Sequence, residues 1–260
     1  MWNAIFWGTL AASATMFGAI LAMKLSIPKR IIGYIMALGT GALIGATTYE
    51  LLEGSLEISG FKEVGIGFLG GALIFTLLDY FISHKGGNQR KGSDRKDHLT
   101  EGNQLTPIKR KNSKEKGKTS GMGIFIGTVM DTLPESAMIG MSLIGGSSVS
   151  LALLVSVFIS NIPEGLSSTV GLRKSGFTNK KIMMMWVLVV FFSAISSLAG
   201  ATLLEMASNN IKAIISSFAG GAIIAMIAST MMPEAYKEGG PTVGFVTSIG
   251  VFIALWLHHL

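Results

Sequence analysis

Two stretches in the middle of the chain set acids, prolines and small polar side chains into otherwise apolar runs: MDTLPES at residues 130–136 and SNIPEG at residues 160–165. In the first, Asp131 and Glu135 are four residues apart. In the second, Ser160 and Glu164 repeat that spacing, with Asn161 alongside. On a helix this spacing puts each pair on one face. Carboxylate, amide and hydroxyl oxygens suit hard or borderline divalent cations. Pro134 and Pro163 lack an N–H and displace the carbonyl four residues earlier, at Met130 and Ile159. Freed carbonyls at membrane depth are tolerated where they line a cavity or find partners. A lone membrane glutamate is readily explained as a protonated structural group. Three acids at one depth, with no Lys or Arg in the same runs, repel one another and call for protons or a cation.

The elements that must position these residues are membrane helices. Of 260 residues, 49% are hydrophobic and 14% charged, and mean hydropathy is +0.55. A soluble domain carries nearer a quarter charged residues. The apolar residues fall in runs of about 20, enough to cross a hydrocarbon core of about 30 Å. Eight spans are expected, near 2–23, 32–55, 62–83, 121–144, 149–172, 182–204, 213–235 and 241–258. The fold class is an all-α integral membrane protein in the lipid bilayer. Its single membrane domain comprises helices 1–3 (residues 1–84), a polar basic loop (85–120) expected to be disordered, and helices 4–8 (121–260) carrying the candidate site. Cysteine is absent, which excludes disulfides and thiolate metal sites. The first segment has its positive charges after it rather than before it, and reads as a first span rather than a cleaved leader.

Charge sets the expected topology. With the N-terminus outside, all but Lys62 and Lys212 of the 21 basic residues fall in inside loops, as the positive-inside rule requires. Both termini are then extracytoplasmic and the loop 85–120 is cytoplasmic, with the plasma membrane as the expected location. The net charge of +6 is thereby accounted for, and no nucleic-acid motif accompanies it. At 1.5 Å per residue, Asp131 and Glu135 on the inward-starting fourth span, and Ser160 and Glu164 on the returning fifth, all come to mid-membrane. Asp131 falls level with Glu164, and Glu135 with Ser160. A short echo, GALIGA at 41–46 and GAIIAM at 221–226, occupies mirrored spans and suggests inverted repeats, 1–3 and 6–8, around a central pair.

These residues resemble the metal-site helices of the ZIP (Zrt/Irt-like) family of divalent-metal transporters. That family carries His-Asn-x-Pro-Glu-Gly-type motifs in its fourth and fifth spans. DTLPES and SNIPEG match in spacing, Pro and Glu, and MMPEAY at 231–236 resembles the family's Ile-Pro-Glu stretch. The eight-span plan and long cytoplasmic loop match as well. The resemblance implies a transporter, not an enzyme, that carries a divalent metal into the cytoplasm, with the ion as cargo and no other cofactor. Asp131 stands where the family has histidine, Thr132 where it has asparagine, and Ser160 begins the second motif. Ser197, in SAISSLAGA, stands where a glutamate is common, which argues for one metal site rather than two. The metal ligands expected are Asp131, Glu135 and Glu164, with Asn161 or Ser160 assisting and Glu234 as an exit ligand. An oxygen-only set favours Mn²⁺ or Fe²⁺, whereas the resemblance favours Zn²⁺. All three stay open, as does a homodimer.

Other features read more plainly. Glu50, Glu53 and Glu57 are spaced for one helix face near the outer end of span two, as an acidic mouth or a solvated helix end. Asp79 is expected at the water interface. The methionines suit gap-filling better than Cu(I) binding, and His258 and His259 are expected on the surface. The competing functions are a membrane metal sensor that does not transport, and an intramembrane aspartyl-type protease using Asp79 and Asp131. The second needs both aspartates at one depth, and the chain places them apart.

Overall fold

The computed structural model describes residues 2–84, 107–143 and 149–260. Among these the chain forms eight long helices: α1 (Trp2–Lys24), α2 (Lys29–Ile58), α3 (Phe61–His84), α4 (Pro107–Met141), α5 (Leu151–Lys174), α6 (Asn179–Leu203), α7 (Asn209–Gly239) and α8 (Val243–His258). No strand occurs among the described residues. All but α4 and α8 are long and apolar enough to cross a membrane by length and composition. The α8 helix is apolar but only 16 residues long, and α4 interrupts its apolar run with Asp131 and Glu135.

The helix boundaries follow local chemistry. Ser150 caps α5 by accepting from the Leu153 amide at 3.2 Å, and Thr178 caps α6 in the same way, each satisfying an orphan amide. One boundary differs from expectation. Residues 107–120, assigned above to a disordered loop, are helical and extend α4 backwards to Pro107. Proline is tolerated at a helix start, and the Lys, Arg and Glu that follow are good helix formers. Residues 85–106, the rest of that loop, lie outside the described residues.

Four pairs of helices run parallel and in close contact. In α2 and α8, Tyr34 meets Thr242 at 2.9 Å and Glu50 meets His258 at 3.0 Å; both pairs are 208 residues apart. In α3 and α7, Gly67 lies against Ile214 and Gly71 against Phe218. In α1 and α5, Asn161 donates to the Ala11 carbonyl and Arg173 to that of Ala22. In α4 and α6, Ser196 donates to the Leu133 carbonyl at 2.8 Å. These pairings fit successive helices that alternate in direction, an arrangement that sets Trp2 and His258 at the same end of the bundle.

Small residues make the crossings close. A Cβ on Gly41 would strike the Thr247 carbonyl, and one on Gly221 the Phe68 carbonyl. Each is the first residue of an echo segment. Each echo segment also runs directly into a π-helical stretch, Thr47–Glu53 in α2 and Ile227–Met231 in α7. Such π segments are rare and are frequent at functional sites. The main core lies between α2, α4, α5 and α7, with Leu43, Met138, Ile139, Leu153, Ile223 and Met226 at its centre. Met138, Met226 and Met231 are fully buried there as packing groups.

Candidate metal site

The two Pro-Glu stretches lie within unbroken helices, with Pro134 inside α4 and Pro163 inside α5. All six candidate ligands are buried: Asp131 at 3% exposure, Glu135, Ser160 and Asn161 at 0%, Glu164 at 1% and Glu234 at 8%. Burial at this level is exceptional for carboxylates. The buried polar positions of α5 form a stripe four residues apart, Ser156, Ser160, Glu164 and Ser168. A matching stripe on α4 runs through Thr128, Thr132 and Ser136, with Asp131 and Glu135 beside it.

One contact sets the level of the two stripes. Thr128 Oγ1 and Ser168 Oγ are 3.1 Å apart. The helices are antiparallel, so three residues onward on α4 and three back on α5 set Asp131 opposite Gly165, next to Glu164. Seven residues each way set Glu135 opposite Asn161, next to Ser160. This is the register expected from depth, within one residue or about 1.5 Å. Level is nevertheless not a ligand cage. Among the described residues, no three acidic or imidazole side chains are gathered closely enough to hold a metal ion between them.

The polar groups around these acids are partly committed. Ser160 Oγ donates to the Val157 carbonyl at 3.0 Å, and Asn161 Nδ2 to the Ala11 carbonyl at 3.4 Å. Asn161 Oδ1 has no hydrogen-bond partner among the described residues. Ser197, the position read above in place of a glutamate by resemblance, donates to the Ala4 carbonyl at 2.8 Å and packs against Gly8 of α1. Its hydroxyl is therefore turned toward α1.

Glu234 is on a third helix, α7. It follows Pro233 near the end of α7 and accepts a hydrogen bond from Ser167 Oγ. Both line a cavity of about 700 Å³ that opens among the ends of α1, α5 and α7 and the start of α2. Lys24, Lys29, Arg173, Lys174 and Lys237 surround it, and Lys29 lies 3.9 Å from Glu238. Ser167 was not singled out in the sequence, although it follows Glu164 by three residues and so falls near the same face.

At the opposite end the acidic triplet does not keep its expected phase. Thr47–Glu53 is π-helical, which breaks the α-helical spacing that would align Glu50, Glu53 and Glu57. Glu50 is half-buried against His258, while Glu53 and Glu57 are exposed. His258 is on the surface, as expected, and is engaged there with Glu50. Its ring also stacks on Tyr49, with centroids 5.4 Å apart. Asp79 is half-buried near the end of α3.

Residues 1–257 match the family described as "ZIP Zinc transporter". A protein of Arabidopsis thaliana described as "Putative zinc transporter" is 24% identical over 237 residues, covering 90% of this chain. The chain spans about a third of that relative's length, 35%.

Proposed function

The chain belongs to the ZIP zinc transporter family, whose members are transporters and not enzymes, and we propose that it carries a divalent transition metal, Zn²⁺, Mn²⁺ or Fe²⁺, into the cytoplasm. The observation that carries this reading is the burial of Asp131, Glu135 and Glu164 within about one helical turn of one level on two adjacent helices. Three like charges in a poorly screened interior hold apart until a cation or protons neutralise them. A divalent cation bound between them would supply that neutralisation. Ser160 and the Oδ1 of Asn161 supply neutral oxygens beside them. Glu234, buried yet lining the basic-rimmed cavity, receives the ion on its way out.

The expected orientation places that cavity on the cytoplasmic side, because its basic residues belong to the inside loops. The inverted-repeat reading draws support from the packing. Exchanging α1–α3 with α6–α8, and α4 with α5, maps the parallel pairs α1/α5 and α2/α8 onto α6/α4 and α7/α3. The two π segments exchange as well. Exposed apolar side chains such as Leu69, Leu73, Phe191, Phe245 and Phe252 suit contact with lipid.

The test is metal uptake by proteoliposomes, compared across Zn²⁺, Mn²⁺, Fe²⁺, Cd²⁺ and Mg²⁺, for the wild type and for Glu135→Gln and Glu164→Gln. Glutamine keeps the size and hydrogen bonding but removes the charge. Losing an outer-shell partner costs about 10–100-fold in metal affinity; losing a direct ligand is expected to cost at least that. Wild-type uptake by both variants at normal expression overturns the site. Metal binding without net flux by the wild type selects the sensor reading instead.

A further inference from the structure

The mid-membrane set contains oxygen donors alone, and oxygen donors discriminate poorly between transition metals and the abundant Mg²⁺ and Ca²⁺. A nitrogen donor does exist at the other end of the bundle. His258 Nδ1 lies 3.0 Å from Glu50 Oε1, joining α8 to α2 across 208 residues. Two donors each about 2.1 Å from one zinc-type ion stand about 3.0–3.4 Å apart, as neighbours in an octahedron or tetrahedron. The pair therefore already has the spacing of two adjacent ligands. The His258 ring is held by its stack on Tyr49, at an interplanar angle of 24°. Both side chains stay partly open, at 32% for His258 and 22% for Glu50, so an ion and its remaining waters have access.

Buried hydroxyls without partners occur on the same helix as Glu50 and on the helices of the acids. Thr47, three residues before Glu50 in the same π-helical segment, is fully buried, and its Oγ1 has no hydrogen-bond partner among the described residues. The same holds for Ser156 Oγ, eight residues or about 12 Å along α5 from Glu164, and for Ser136 Oγ, beside Glu135. Buried hydroxyls without partners are costly unless something visits them. Ser136 and Ser156 share the polar stripes of α4 and α5 with the acids, and Thr47 packs beside Gly220 of α7.

We propose that Glu50 and His258 form a separate, shallow metal site for a borderline divalent cation such as Zn²⁺, which admits that ion in preference to Mg²⁺ and Ca²⁺ before it reaches the mid-membrane acids. Two protein ligands with water completing the shell make a site that exchanges quickly, as a relay requires. The preferential-admission part of this inference rests on the transport reading above; the binding part does not.

The experiment separates the two. Zn²⁺ is titrated calorimetrically into the purified full chain carrying Glu135→Gln and Glu164→Gln, so that the mid-membrane acids are silenced. One Zn²⁺ per chain is expected to remain, not displaced by Mg²⁺ in large excess. Its affinity is expected to fall at least about tenfold when Glu50→Gln or His258→Ala is added, the lower end of what metal-shell changes cost. Glu50→Gln keeps size and hydrogen bonding, which guards against misfolding as the cause. In the otherwise wild-type chain, either change is expected to raise KM for Zn²⁺ about tenfold with kcat retained. Residual zinc that neither substitution weakens overturns the proposal. Loss of uptake in every protein, with the binding result intact, overturns the transport reading and leaves the site standing.

Discussion

Gly39 is the position where packing and transport can be told apart. A Cβ added there would lie 2.7 Å from Ser160 Cα, 2.8 Å from Ser160 N and 3.1 Å from the Ile159 carbonyl carbon. These are backbone atoms and cannot swing aside. Ordinary contact begins near 3.4 Å, so Gly39→Ala must move α2 and α5 apart by about 0.7 Å, the gap between that limit and the closest approach. Overpacking of this kind costs about 1–3 kcal/mol, against a gain of about 0.5–1 kcal/mol for replacing glycine in a helix. The net expectation is destabilisation by about 1–2 kcal/mol. The effect on transport is expected to be larger, because metal–ligand distances tolerate only about 0.2 Å and Ser160 shares its stripe with Glu164. Uptake is expected to fall about tenfold or more while the protein stays folded. Gly65→Ala is the matched comparison: nothing lies within 4 Å of a Cβ there, so it is expected to raise stability slightly and leave uptake alone. Thermal unfolding of the purified protein and proteoliposome uptake read the two quantities separately. A Gly39→Ala protein with wild-type stability and full uptake refutes the argument that this crossing sets the geometry of the acids.

Three further outcomes follow from the same structure. Asp131→His is expected to shift uptake toward Zn²⁺ relative to Mn²⁺, since imidazole suits zinc, whereas Asp97→Asn, outside the described residues, is expected to change little; a metal-preference profile checks both. Single cysteines introduced in 86–118 are expected to resist impermeant thiol reagents in intact cells, and labelling from outside reverses the orientation and with it the direction of transport. Gly221→Val, which drives a side chain into the Phe68 carbonyl, is expected to lower stability by about 1–3 kcal/mol, with Gly41→Val behaving alike against Thr247; a clear difference between them in thermal unfolding tells against the repeat.

Much of the architecture was legible because membrane helices announce themselves by length and apolarity, and successive ones must alternate. The level of Asp131 with Glu164 followed from that alternation, and the Thr128–Ser168 contact agrees within a residue. The path of the backbone inside a helix was less legible. Nothing in TTYELLE marks a π segment, and the α-helical face drawn through Glu50, Glu53 and Glu57 fails for that reason. Contacts between helices distant in sequence were also hidden. The pairing of His258 with Glu50 depends on α2 and α8 running parallel, a tertiary fact no local pattern contains. Ser197 shows the converse. Its chemistry, a hydroxyl where the family often has a carboxylate, was readable, but its commitment to the Ala4 carbonyl of α1 was not.

Helices α4 and α5 continue through Pro134 and Pro163. Pro163 leaves the Ile159 carbonyl without its helical donor, and it is against the Ile159–Ser160 peptide that Gly39 brings the backbone of α2. On the far side of α5, Gly18 meets the Ile162 carbonyl and Gly165 the Thr15 carbonyl of α1. The Pro-Glu segment is thus clasped between two helices at glycine crossings. Glycine allows backbones to approach where hydrocarbon supplies no hydrophobic drive for association. Such clasping holds the segment carrying Glu164 at a fixed level while its carboxylate stays within the buried stripe. On this reasoning, the proline supplies a polar backbone group, the glutamate supplies charge, and the glycines of neighbouring helices hold both at the depth where an ion can use them.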